Sequence, residues 1–190
     1  MKTLAAALSL ALLAACATQE HAVPAGAFRV GWTGMADNAI LPQRSAGNLK
    51  TNPNCLGDDV SPPVQWSNAP ERTRSFVIFI DDQAGRIGLG VSHMVVHGIP
   101  TNVSSFAEGE SSSAPQGDRF VAGKSTPALL GWFGPCPPRG NAPQHYVMTL
   151  IATTLEPGEL APGLTKAEVL KALEGGRALR AASHVFRHAH

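Results

Sequence analysis

The sequence predicts a mostly β chain, an antiparallel β-sandwich carrying one or two C-terminal helices, and three observations point to it. Apolar, β-branched and aromatic residues gather in short runs rather than at helical spacing. Nineteen glycines and fifteen prolines among 190 residues fill the stretches between those runs, which favours irregular connections over βαβ crossovers. Helix signals are confined to the end of the chain.

Taken in order, residues 27–32 and 64–66 are short strand candidates. Residues 75–80 (Ser-Phe-Val-Ile-Phe-Ile) follow a turn at Asn68-Ala69-Pro70 and end in Asp81-Asp82, as a buried strand does. Residues 91–97 form a second strand, stopped by Gly98 and Pro100, and 120–123 a weaker one. Residues 146–153 make the third and longest, entered from the Pro- and Gly-rich segment 131–143. Thr165-Lys-Ala-Glu168 is a capping-box pattern, continued at helical spacing by Val169, Leu170 and Leu173 up to Gly175-Gly176. A second short helix is expected over 178–187.

Composition bounds the function. At 44% apolar and 15% charged the chain is neither disordered nor a coiled coil. A formal charge of +1 leaves no basic footprint for nucleic acid. The apolar content is uneven: residues 4–15 are almost all Leu and Ala, preceded by Lys2 and followed by Cys16. A dozen apolar residues are too few to span a bilayer but suit the core of an export signal. Leu13-Ala14-Ala15-Cys16 has the form of a bacterial lipobox, in which small residues precede the cut and the cysteine sulfur takes the lipid. We therefore expect a signal peptide over 1–15, a lipidated tether over 16–27 and a folded domain over 28–190, held on the periplasmic face of a bacterial membrane through Cys16. Removing 1–15 removes Lys2, so basic and acidic side chains balance in what remains. Export leaves Cys55 and Cys136 as an even pair in an oxidising compartment. Their expected disulfide closes a loop of about 80 residues, worth about 4 kcal/mol on the loop-entropy model.

Four stretches read together resemble the phosphatidylethanolamine-binding protein family, in its bacterial Raf-kinase-inhibitor-like branch. They are 55–66, with Ser61-Pro62-Pro63 and Trp66; 75–82; 92–100, with Ser92, His93 and His97; and 134–146, with Gly134-Pro135-Cys136-Pro137-Pro138 and Tyr146. The resemblance implies an antiparallel β-sandwich with a small anion-binding pocket at one end. It places an Asp after the first strand, a His in the second and a His-x-Tyr entering the third, which here fall on Asp82, His93 and Tyr146. Three departures stand out. Asp81-Asp82-Gln83-Ala84-Gly85 lacks the family's prolines and second acid, and Ser92 replaces an aromatic or His. Gln144 stands at the pocket-His position, with His145 beside it. Adjacent strand residues face opposite ways, so Gln144 and Tyr146 are expected in the pocket and His145 outside it.

An anion needs convergent donors, and imidazolium, phenol and amide supply them. His93 would lead, held in one tautomer by Asp82, with Tyr146, Gln144 and backbone N–H groups of the 131–134 turn, Gly134 included, completing the ring. The X-Pro bonds in Ser61-Pro62-Pro63 and Cys136-Pro137-Pro138 are candidates for the cis form. No cofactor and no metal is expected. His93 and His97, on one strand face, would sit about 13 Å apart, while His184 and His188 share a helix face without a third ligand. Asp81 and Asp82 should not face one site together. The resulting expectation is an envelope lipoprotein that binds a small anion or phospholipid headgroup. An interaction module that inhibits a kinase or peptidase through rim residues 87–89 or 129–133 is the alternative, and a hydrolase with His93 as base a further one.

Overall fold

The structure, a computed structural model, describes residues 24–113 and 118–189; the expected signal peptide over 1–15, Cys16 and most of the expected tether lie outside them. Two sheets pack face to face. β1 (Arg29–Trp32), β3 (Val64–Ser67) and β6 (Ser105–Phe106) form a small sheet in the order β1-β3-β6. The large sheet runs β2-β9-β8-β4-β5-β7, from β2 (Ala39–Ile40), β9 (Ala178–His188), β8 (Gln144–Thr153), β4 (Ser75–Asp82), β5 (Val91–Pro100) and β7 (Val121–Ala122). Pairing is antiparallel except for β2 against β9.

Strand alternation builds two apolar layers from one sheet. Phe76, Ile78 and Ile80 of β4, with Met148 and Leu150 of β8, face the small sheet and meet Trp32, Trp66 and Phe106 there. Val77 and Phe79, one residue out of phase, face the other way and are covered by Val169 and Leu173 of the helix Lys166–Ala172 and its end. The expected capping box is present: Thr165 and Glu168 satisfy each other's backbone N–H. Lys166 reaches Asp81 at 2.6 Å and lies over the Phe79 ring, tying the helix to the sheet.

The expected second helix is instead a strand. After Gly175 and Gly176, both at positive φ, residues 178–188 pair with β8 along its whole length, from Gln144↔His188 to Thr153↔Ala178. The alanines of 178–182 favour a helix locally, but the open edge of β8 offers a full ladder of hydrogen bonds, and tertiary context overrides propensity. His184, Phe186 and His188 are buried alternately with their half-buried neighbours, so His184 and His188 are strand residues rather than neighbours on a helix. Every described peptide bond is trans, the two Pro-Pro segments included. Cys55 and Cys136 form a disulfide.

Candidate functional site

β4 and β5 carry the first two site residues to the end of the large sheet, and a break in register aims one of them. Ile80 pairs with Met94 but Asp81 pairs with Ser92, which leaves His93 as an extra residue on β5. This bulge turns His93 toward the sandwich interior, where it meets Tyr146 and Trp132; bulges re-aim side chains in this way. A second break, between Phe76↔Ile99 and Ile78↔Val96, lies at His97 and Gly98, the latter at φ 60°. His97 faces the opposite layer, beside Val77, Leu155 and Leu160. The two histidines thus occupy opposite faces, where unbroken alternation put them on one.

Asp82 lies directly across from Tyr146 in the β4–β8 pairing, so both side chains stand on the His93 side of the sheet. Asp81 points the other way, to Lys166. The Tyr146 ring is stacked on Phe186 and meets the His93 ring edge-on, with centroids 5.3 and 5.1 Å apart. Its hydroxyl donates to Gln144 Oε1 at 3.2 Å, which leaves the Gln144 amide N–H groups for an occupant. His145 is exposed and borders a separate depression with Gln83, Asn141 and Val147.

His93 is not held by Asp82. Its Nδ1 lies 2.6 Å from the Phe133 carbonyl, so a neutral ring carries its proton on Nδ1, donates it there, and keeps Nε2 as the free acceptor. The Phe133 N–H returns a bond to the His93 carbonyl at 2.8 Å, and the two rings lie nearly parallel. Burial holds the His93 imidazole down at about 4, with the Phe133 bond opposing. Asp82 Oδ1 accepts from the Ala84 N–H at 2.9 Å. Burial raises the Asp82 carboxyl, partly offset by backbone donors and the His145 charge. The Tyr146 hydroxyl is pushed up by burial and by the Asp82 charge, so it stays a donor.

The third wall is the segment after Gly131, fastened to the loop around residues 43–60. Trp132 Nε1 donates to the Ser45 carbonyl and Gly47 N–H to the Pro135 carbonyl, and the disulfide closes the pair. Gly134 belongs to this fastening rather than to an anion ring. Its N–H donates to Asp59 Oδ1 at 2.7 Å, and a Cβ there would lie 2.3 Å from the Ser45 carbonyl oxygen. Sequence reasoning did not single out Asp59 or the Phe133 carbonyl. Asp59 lies inside the 55–66 stretch, yet its αL backbone, φ 60°, is visible only in the fold.

Asp82, His93, Gln144 and Tyr146 all line one pocket of about 770 Å³, together with Arg86 and Phe133. That falls within the range of small-molecule sites. At neutral pH it offers donors from Gln144 and Arg86 and acceptors from His93 Nε2 and Asp82, a mixed lining rather than a uniformly positive one.

Comparison with known proteins agrees with this architecture. The family model described as phosphatidylethanolamine-binding protein matches residues 33–185. A UPF0098 protein of Aquifex aeolicus is 33% identical over 121 residues, covering 64% of this chain and 70% of its own. LppC of Mycobacterium tuberculosis, provisionally named a lipoprotein, is 34% identical over 147 residues, covering 75% and 65%. Among solved structures, Escherichia coli YbcL superposes with a TM-score of 0.74 at 22% identity, over 86% of this chain and 98% of that one. A Chlamydia trachomatis homologue gives 0.71 at 22%, over 87% and 99%.

Proposed function

Because this chain belongs to the phosphatidylethanolamine-binding protein family, we propose that its pocket binds a small phosphate-bearing anion, a phospholipid headgroup or a soluble phosphomonoester, on a protein tethered to the bacterial envelope through Cys16. The observation that carries the reading is the convergence of His93 Nε2, the Gln144 amide and the Tyr146 hydroxyl on one cavity beside Asp82. At about 770 Å³ the pocket has room for an organic group beside a phosphate. The tether rests on the lipobox form of Leu13-Ala14-Ala15-Cys16 and on the likeness to LppC.

The histidine sets the protonation requirement. A neutral His93 presents a lone pair at Nε2, which repels a phosphate dianion but accepts from a protonated phosphate or becomes a donor by taking up a proton. Binding therefore carries a proton into the site and strengthens as pH falls. Gln144 supplies a neutral donor where the family pattern has a titrating one. The pH dependence then has three sources, His93, the second ionisation of the phosphate itself and the Asp82 carboxyl, which burial raises, and His93→Ala removes only the first. Isothermal calorimetry with inorganic phosphate and O-phosphoethanolamine tests this. The expected result is one site, tighter at pH 6 than at pH 8 and lost in His93→Ala. Binding that keeps its strength and pH dependence in His93→Ala would overturn the assignment.

A further inference from the structure

Four loops surround the pocket mouth, and their composition differs from that of the rest of the surface. Residues 48–54, 84–90, 126–130 and 137–143 contribute Leu49, Arg86, Ile87, Pro127 and Pro138 to its lining. They hold three cations, Lys50, Arg86 and Arg139, and no carboxylate, in a chain whose charges otherwise balance. None of the three makes an ion pair among the described residues, a state they share with several cations elsewhere; what sets these loops apart is that no carboxylate accompanies the cations. Exposed aliphatic side chains occur on the same loops: Ile87 at 102% and Leu89 at 78% relative exposure, and, to a lesser extent, Leu49, Leu129 and Leu130. Backbone strain supports the display. Arg86 and Ile87 sit at φ 52° and 62° in a left-handed turn between Gly85 and Gly88, a conformation that is an outlier for a β-branched residue.

We infer that this end of the molecule docks on an anionic lipid bilayer, with the pocket mouth facing the headgroups. A bilayer surface takes this combination directly. Aliphatic tips enter below the headgroup level, and unpaired Lys and Arg meet lipid phosphates, each adding about a fivefold gain in partition near the surface. A second copy would set three cations against three. A protein-binding patch would be expected to carry aromatic anchors, and these loops contain no Phe, Tyr or Trp. The inference goes beyond the ligand assignment, since it concerns the loops around the mouth rather than the groups inside it.

The test uses the full chain with Leu89→Trp, a site whose φ of −81° is ordinary, on vesicles whose acyl chains are brominated. Trp32, Trp66 and Trp132 are buried and provide a constant background. Quenching should be severalfold stronger on equimolar phosphatidylcholine and phosphatidylglycerol than on phosphatidylcholine alone. In K50E/R86E/R139E it should return to the neutral-vesicle level. Leu129→Trp, on another loop, reads the same contact independently. Equal quenching on both vesicles, or none, would overturn the proposal. So would a concentration-dependent blue shift without vesicles, which would assign the face to a second copy. Calorimetry with inorganic phosphate in the absence of vesicles reads the ligand assignment by itself, so its failure and the failure of the bilayer contact are distinguishable.

Discussion

At the scale of single residues the pocket is governed by which ring nitrogen of His93 is committed. The Phe133 carbonyl takes Nδ1, so whatever enters the cavity deals with Nε2, and Asp82 acts on the site through its charge rather than by orienting the ring. Gln144→His should add a second titrating donor: phosphate binding would tighten severalfold near pH 6 and steepen with pH, read by calorimetry. Tyr146→Phe removes the donor that fixes Gln144 Oε1. It should weaken binding by about 1 kcal/mol while changing the folding midpoint little. That Asp82, His93, Gln144 and Tyr146 would come together at one cavity was legible in the sequence, as was the outward direction of His145, because alternation along β8 is unbroken there. The Phe133 carbonyl was not, since backbone acceptors have no sequence signature, and Gly134 was misassigned because its partner Asp59 is 75 residues away.

At the scale of elements, runs of apolar residues predicted the strands well where the strand was central and buried on both faces, as in β4. They failed where pairing outweighed propensity, as in β9, and where a bulge broke the alternation, as at His93 and His97. A bulge adds a residue without altering hydrophobic content, so periodicity cannot register it. Two elements carry stability predictions. Ile87→Gly should stabilise the protein by about 1 kcal/mol, because glycine holds positive φ without steric cost; urea denaturation would show the midpoint rising. Thr165→Ala removes the capping box and should cost about 1 kcal/mol by the same measurement.

Across the whole molecule, buried histidines tie stability to pH. His93, His97 and His184 are each held below the usual imidazole range, chiefly by burial. Both ring nitrogens of His97 lack a hydrogen-bond partner among the described residues. At pH 7 and above these rings are neutral whether the chain is folded or not, and their contribution is fully present. As pH falls below the unfolded value of about 6.5, the unfolded chain takes up protons that the folded chain refuses, and stability falls until the folded groups titrate. His93 alone, held at about 4, accounts for a loss of order 3 kcal/mol across that window. Denaturation midpoints measured from pH 7.5 to 4.5 should fall steadily. On the proposed reading, an anionic ligand would oppose this loss by drawing a proton onto His93, joining stability and binding in one titration. The most direct measurement is the NMR titration of the His93 ring with and without saturating phosphate. The account predicts a ring that titrates near 4 when empty and at least about one unit higher with phosphate bound. A His93 pKa unmoved by phosphate, under conditions where phosphate demonstrably binds, would contradict it.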